Sequence, residues 1–534
     1  MLSLLGGGLI VLSVPRMNWE PLGFVGLIPL FVAIEGASYR RVFWCAWLFG
    51  LVTNIGGFPW ITELLIRFGN LHWGLALVLH LLLGSFQALM FPVAALGATW
   101  LRRARLPFLP SWIAGFLLTD YLFPMIFPWY LAMTQHRFTV FIQIADLVGV
   151  VGVTSLVVAI NAALYLGLIA WADRSPGRPP WLPRDLFGRR ELVWSAAAVG
   201  AAAVAALVYG FVLQERYREI RARADKVPFG LVQPNIGIRQ KRDPAFSWDN
   251  LDVLQRMTAD AEARGALVAV WPEASYPFAL PHDPPPGGRL MRDRREGDVM
   301  RIRRGFSIPL VFGSISRGTN PPRRYNSSFV LDGEGMLHGP VDKNVLLMFG
   351  EYVPLREQLG FLDRWFPRTG SLAAGSQPEL LPLGSLTLGI LNCYEDILPR
   401  YVGRLMRAGP PNVLVNITND AWFGDSAEPY QHLALAVFRS VEQRRELVRA
   451  VNTGASAHVA ATGEVLWQSS IFVPAVHVAD VVPYAGRTVY SITGDWPGYA
   501  VLLAMVAWAA WRRLRRPRYP VDRGAAASPP GRSA

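Results

Sequence analysis

Apolar runs long enough to cross a bilayer recur along this chain, and a water-soluble fold has no use for so many of them. A spanning helix needs about 17–25 apolar residues. Such runs lie near 22–36, 42–62, 72–99, 108–127, 143–172, 192–213 and 496–511. Residues 1–14 add a stretch with neither a basic leader nor a small-residue cleavage site, which reads as a short first span rather than a signal peptide. Together they predict about eight crossings. Composition agrees: the 534 residues are 52% hydrophobic and 17% charged, where soluble chains carry about 25% charge. Disorder and collagen-like repeats are excluded, and two cysteines cannot staple a secreted scaffold.

The formal net charge of +13 would suit a nucleic-acid binder if it formed a basic stripe with interleaved aromatics. Instead, short clusters flank the apolar runs: Arg40 and Arg41, then Arg102, Arg103 and Arg105, then Arg174 through Arg190, then Arg512 through Arg518. They follow every second run and so fall on one side. The other side's loops between runs carry only Arg16, Arg67 and Arg137. The positive-inside rule makes the Arg-rich side cytoplasmic. Both termini are then cytoplasmic, 214–495 faces the periplasm of a bacterium, and no nucleic-acid partner is expected. The predicted division is a bundle of about seven spans over 1–213, an extracytoplasmic domain over 214–495, a last transmembrane helix over 496–511, and a basic, disordered tail over 512–534. Of the 52 basic residues only Lys226, Lys241 and Lys343 are lysines; each marks either a site needing a compact ammonium or chance.

Residues 227–488 read as an α/β domain. The strand-like runs 228–235, 266–273, 308–316, 386–395 and 412–420 alternate with helical stretches such as 247–264 and 428–446. Ligands gather beyond the carboxyl ends of strands in open α/β sheets. Glu273, Cys393 and the Asn419-Asp420 pair, all at strand ends, are therefore expected neighbours. Cys45 lies inside an apolar run, so Cys393 has no disulfide partner; it is either a buried inert thiol or a nucleophile. A nucleophile needs a base and an oxyanion stabiliser. Glu273 at the end of a buried strand suits the base, and Lys343 could supply positive charge; taken singly, either could equally be structural. His432 reads as a structural histidine, and Asp420 and Asp425 are not taken as catalytic. No metal-binding spacing appears, and neither metal nor cofactor is expected.

The ordered blocks VQPNIGIRQK (232–241), WPEASYP (271–277), RYNSSFV (324–330), FGEYVPLR (349–356), LNCYED (391–396), NITNDAWFGDS (416–426) and VRAVNTGASAHVA (448–460) are similar to those of the apolipoprotein N-acyltransferase family. These are membrane-embedded members of the nitrilase superfamily, and the likeness covers nearly the whole chain. The resemblance implies a polytopic α-helical membrane domain with an inserted nitrilase-like αββα sandwich. It implies Glu273 as general base, Lys343 beside the oxyanion and Cys393 as nucleophile. Glu351, Tyr394, Glu395 and Asn326 match supporting residues. It further implies a phospholipid acyl donor, a diacylglyceryl-apolipoprotein acceptor and a site in the bacterial inner membrane; it leaves the oligomeric state open, a monomer included. Three departures stand out. Val345 and Met348 replace a family His and Pro, and Arg242 replaces a Trp, which puts the local loop conformation and an aromatic lipid contact in doubt.

The stretch 354–375, mixing apolar anchors and glycines, is expected to form a lid that excludes water. Aromatic segments at 56–60, 127–130 and 360–365 would either line the lipid path or form an interfacial belt. Two alternatives share these residues: a membrane-tethered amidohydrolase, and an inactive lipoprotein-binding scaffold supported only by Val345 and Met348. A transporter is disfavoured, since no paired charges sit mid-span.

Overall fold

The apolar runs are largely helical in the computed structural model, which describes residues 1–514 except 68, 70, 176–181, 183–186, 284–290, 320, 349, 354–357, 359 and 361–371. The expected lid at 354–375, the aromatic stretch 360–365 and the tail beyond Leu514 fall wholly or mostly outside the described residues. Three helices are long and apolar enough to cross a membrane: Trp73–Arg103, Ala145–Arg174 and Arg189–Arg223. Tyr39–Gly57 and Trp60–Arg67, bent by 57° at Phe58-Pro59, make a fourth if they count as one span. Leu2–Ser13, Phe108–Leu122 and Trp496–Leu514 pack with them. The structure thus has an N-terminal helical region with three or four apolar spans, fewer than the runs suggest. Some apolar sequence lies in shorter segments packed against protein. Residues 123–130 are rich in aromatics and proline, yet they form no helix, and Trp129 and Tyr130 are buried in protein.

The domain after Arg223 is built from strands β1 (Val227–Gln233), β2 (Val268–Val270), β3 (Tyr276–Pro281), β4 (Met291–Arg292), β5 (Leu310–Thr319), β6 (Pro322–Leu331), β7 (Met336–Asp342), β8 (Leu372–Ala373), β9 (Leu380–Leu383), β10 (Leu386–Asn392), β11 (Val413–Thr418), β12 (Leu447–Val451), β13 (Ala457–Val459), β14 (Val465–Gln468) and β15 (Ala475–Val481). One sheet runs β15-β1-β2-β5-β6-β7-β4, with β3 beside β5 and β8 beside β6; the other runs β14-β13-β12-β11-β10-β9. Period-2 patterning stacks them face to face. Leu231, Val270 and Val311 of the first sheet share a core with Leu388, Ile390, Val413, Val415 and Val448 of the second. The first sheet's outer face carries helix Ser247–Ala263 through Leu251, Leu254 and Trp271. The second sheet's outer face, through Leu391, Leu414 and Leu447, carries helices Pro399–Ala408 and Glu428–Gln443. This is the αββα sandwich expected.

The last of these helices is buried on both sides, because the membrane-type bundle packs over it. Every residue of Glu428–Gln443 except Tyr430 is buried. Such a helix must find partners for its polar groups. Gln431 accepts a hydrogen bond from Trp60 Nε1 (2.9 Å) and donates to the carbonyls of Gly57 (2.8 Å) and Pro15 (3.1 Å). Glu442 accepts from the Val150 amide at 2.8 Å. Just beyond the helix, Arg444 forks onto Asp146 Oδ2 at 2.7 and 3.0 Å. These contacts tie the two regions into one core.

Candidate active site

Three strands of the first sheet and one of the second deliver the predicted residues. Glu273 follows β2, Lys343 follows β7, Asn326 lies in β6, and Cys393 follows β10. Gly313 in β5 permits the close approach: a Cβ there would sit 2.5 Å from the Ala274 amide nitrogen and 3.0 Å from Glu273 Cα. Lys343 Nζ lies 3.1 Å from Glu273 Oε1 and 2.9 Å from Glu351 Oε2. Asn326 Nδ2 donates to Glu273 Oε1 (2.7 Å) and Glu351 Oε1 (3.2 Å). Lys343 is 2% exposed. Burial opposes its charge, but the two carboxylates hold its pKa well above the ordinary lysine value. The ammonium is therefore a fixed cation.

Cys393 is a free, half-buried thiol in left-handed backbone conformation, φ 53°. That geometry costs a non-glycine residue about 1–2 kcal/mol and turns the chain sharply from strand into a 3-10 turn, Cys393–Ile397. Burial pushes the thiol pKa up to about 12; Glu273 adds to the rise, and Lys343 and His432 oppose it. The resting group is a neutral thiol.

Glu395 fixes this turn. Its carboxylate, 0% exposed, accepts the amides of Asn392 (2.9 Å), Asn344 (2.7 Å) and Val345 (3.0 Å). One side chain thus binds the cysteine turn to the loop that carries Lys343. Burial raises Glu395 to about 7 against those donors and Lys343. Tyr394 donates its hydroxyl to the Leu346 carbonyl at 3.1 Å, with Lys343 Nζ 5.7 Å from its ring centre. All seven sequence-predicted residues therefore belong to one cluster, linked by hydrogen bonds or direct charge interaction.

The departures are accommodated locally. At 345 the backbone amide makes the tie to Glu395, so the side chain is free to pack on the bundle core. Met348 pairs by its backbone with Tyr352. The Arg242 guanidinium carbon lies 4.5 Å from the Trp422 ring centre. The aromatic segments 56–60 and 127–130 form no exposed belt. Phe58, Trp60 and Trp129 are buried, and Trp60 packs edge-on to Phe127 and Phe423. His432 sits in a buried charge cluster, 2.7 Å from Asp396, with Arg449 reaching Asp396 (2.6 Å) and Asp420 (3.2 Å). The donor atoms of Asp420, Glu428 and His432 lie within 4.8 Å of one another, close enough for a metal. Arg449 already supplies positive charge to that set.

Sequence reasoning left Lys241 out of the site. Its ammonium donates to the Glu273 carbonyl at 2.6 Å and interacts with both Glu273 and Cys393. Burial lowers its pKa to about 8. The scarcity of lysine in an Arg-rich chain was the available signal.

An αββα sandwich that gathers Glu, Lys and Cys at its strand ends, seated on apolar helices, defines a membrane-borne enzyme of the carbon-nitrogen hydrolase class. Residues 230–488 match the carbon-nitrogen hydrolase family, and 6–163 match the apolipoprotein N-acyltransferase N-terminal domain. The apolipoprotein N-acyltransferase of Geobacter metallireducens is 32% identical over 96% of this chain and 95% of its own. That of Bdellovibrio bacteriovorus is 30% identical over 95% and 92%. Among solved structures, an amidase from Nesterenkonia sp. is 20% identical over 49% of this chain and 92% of its own, with TM-score 0.36. The chain belongs to the apolipoprotein N-acyltransferase family. It is a multi-pass membrane acyltransferase of lipoprotein maturation that N-acylates apolipoproteins through a nitrilase-type catalytic domain. Membership ranks this activity above the amidohydrolase and scaffold readings and implies a phospholipid donor.

Proposed function

We propose that Cys393 carries the acyl chain between the two substrates as a thioester. Glu273 takes the thiol proton as sulfur attacks the ester carbonyl of a phospholipid, and the tetrahedral oxyanion forms beside Lys343 and a backbone N–H near Tyr394. A well-placed donor of this kind contributes roughly 3 kcal/mol. The C–O bond breaks, the proton held by Glu273 passes to the leaving oxygen, and lysophospholipid departs. The α-amine of a diacylglyceryl-cysteine then attacks the thioester, Glu273 accepts its proton, and the thiol is regenerated as the amide forms. Glu351 and Asn326 orient Glu273 and Lys343, and Glu395 holds the cysteine turn.

The observation that carries this reading is the buried ammonium of Lys343 shared between Glu273 and Glu351, in charge contact with a thiol on a strained turn. Such a thiol needs a base at the moment of attack, and Glu273 is the carboxylate that acts on it most strongly. The Arg distribution supports about eight crossings, with both termini cytoplasmic and the 214–495 domain in the periplasm, over the outer leaflet. A site at the bilayer also spares the substrates about 0.8 kcal/mol for each CH₂ that would otherwise enter water.

The test is mass spectrometry of the full chain incubated with phospholipid. A fatty-acyl adduct on Cys393, lost in Cys393→Ala and discharged by a diacylglyceryl-cysteine peptide with N-acyl product, is expected. An unmodified thiol under turnover conditions would overturn the reading.

A further inference from the structure

Where the second sheet meets its covering helices, the strands present leucine: Leu391 of β10, Leu414 of β11 and Leu447 of β12 are all buried there. Side chains two apart on a strand share a face. Asn416 and Arg449, two residues further along β11 and β12, therefore enter the same apolar layer, and both are fully buried. The parallel register sets Asn416 opposite Leu391 on one side and Arg449 on the other. An amide and a guanidinium in such a layer cost free energy unless partners take them up.

Those partners lead to the nucleophile. Asn416 Nδ2 donates to the Cys393 carbonyl at 2.8 Å and to the Leu391 carbonyl at 3.1 Å. Its Oδ1 accepts from Arg449 Nη1 at 2.9 Å. A guanidinium only donates, so this contact fixes which end of the amide faces the carbonyls. Arg449 is held in turn by Asp396 at 2.6 Å and Asp420 at 3.2 Å, and His432 lies 2.7 Å from Asp396. His432 follows Gln431, which is bonded to the bundle at Trp60, Gly57 and Pro15. The buried charges around His432 thus converge on one NH₂ group beneath Cys393. The carbonyl held there belongs to a strained residue, at φ 53°, and such a conformation persists only where the surroundings over-determine it. Glu395 takes up amides around the turn; Asn416 takes up carbonyls.

We infer that Asn416 is a positioning residue for the Cys393 nucleophile, with Arg449 setting the direction of its amide. This rests on the acyl-transfer reading above. By holding the cysteine carbonyl, Asn416 keeps the backbone in the conformation that presents the sulfur to Glu273 and Lys343. It is fully buried, out of reach of a substrate. Its loss therefore slows the steps in which sulfur bonds to carbon or leaves it, without changing how tightly the lipid binds. Sulfur attacks in the first half-reaction and departs in the second, so both depend on this contact.

The test is single-turnover acylation of Cys393 in the full-length protein over a range of phosphatidylglycerol concentrations in mixed micelles, followed by discharge to a diacylglyceryl-cysteine peptide. Asn416→Asp keeps an acceptor for Arg449 and removes both donations to the carbonyls. Asn416→Leu continues the leucine layer and removes donor and acceptor alike. In each, the limiting rate constants of acylation and discharge are expected to fall by at least about tenfold, with the half-saturating lipid concentration within about twofold of wild type. A role in folding alone would lower the fraction of protein that reacts and leave the rate constants of that fraction at wild-type values. That outcome, or a loss carried wholly by the half-saturating concentration, would overturn the assignment. If neither Asn416 variant folds, Arg449→Lys decides the matter, since it keeps a cation between Asp396 and Asp420 but lacks the planar fork. Rate constants lowered by about threefold or more are expected there, and unchanged ones would overturn the assignment. No adduct in the wild type would instead refute the acyl-transfer reading itself.

Discussion

At the scale of single residues, the decisive property is that the Cys393 thiol is protonated at rest, with its pKa pushed up to about 12 by burial and by Glu273. Alkylation by iodoacetamide should be slow at neutral pH and accelerate only above about pH 10; a fast, pH-independent rate would show a resting thiolate instead. The thiol is more basic in the fold than its ordinary 9.0. Its contribution to stability is therefore fully present below pH 9 and lost as pH rises toward 12. Glu273→Gln separates the electrostatic and chemical roles of that carboxylate: alkylation near pH 9 should speed up, because a negative neighbour is gone, while acyl-adduct formation from phospholipid should fall by at least about 100-fold. Lys343→Met removes the cation shared by two buried carboxylates. A loss of about 3–5 kcal/mol in thermal or denaturant stability is expected, along with loss of the adduct. Much of this site could be read from sequence, since Glu273 and Cys393 lie within recognisable strand-like runs and Lys343 stands in a family block. Lys241 could not be assigned that way. Its contact with the Glu273 carbonyl joins two segments more than thirty residues apart, and nothing local specifies it.

Among the elements, the turn Cys393–Ile397 depends on one carboxylate. In Glu395→Gln, one amide oxygen can still accept from Asn344 and Val345, but the NH₂ group would face the Asn392 amide, donor against donor. A cost of about 1–3 kcal/mol is expected, with reduced acylation of Cys393 as the turn loosens. The pH dependence has a definite sign. Glu395 titrates near 7 in the fold against an ordinary 4.5, so its contribution is fully present below pH 4.5 and lost as pH rises through 7. The variant should flatten the fall in Tm across that interval. A Tm profile parallel to wild type would show that Glu395 is not the titrating group. Strands β10 and β11 were legible as short apolar runs at 386–395 and 412–420, whereas β12 was not singled out. The contact between this turn and the Lys343 loop was not legible, since Glu395 reaches backbone amides, and amides carry no sequence signature.

Across the whole molecule, the catalytic domain and the helical bundle share a core through helix Glu428–Gln443 and the buried Arg444–Asp146 pair. Asp146→Ala strands a guanidinium that is 3% exposed, and a loss of about 3–5 kcal/mol is expected, read as a lower inactivation temperature in detergent. The separate chain 227–488 is expected to aggregate, because it would bare the bundle-facing side of that helix; a soluble, monodisperse fragment would refute the shared core. The sequence did not reveal this arrangement. An apolar segment such as 123–130 has the same composition whether it meets lipid or protein, so composition alone does not tell a crossing run from a packed one.

The helix Glu428–Gln443 also imposes an order of assembly. A catalytic sandwich normally completes itself and then docks, but here one of its four layers has no aqueous face to wait on. The bundle helices precede it in synthesis, so a nascent chain meets a ready surface and needs the last helix, Trp496–Leu514, only to finish. Moving the same catalytic sequence ahead of its bundle would leave that layer without a template during the interval when misfolding competes.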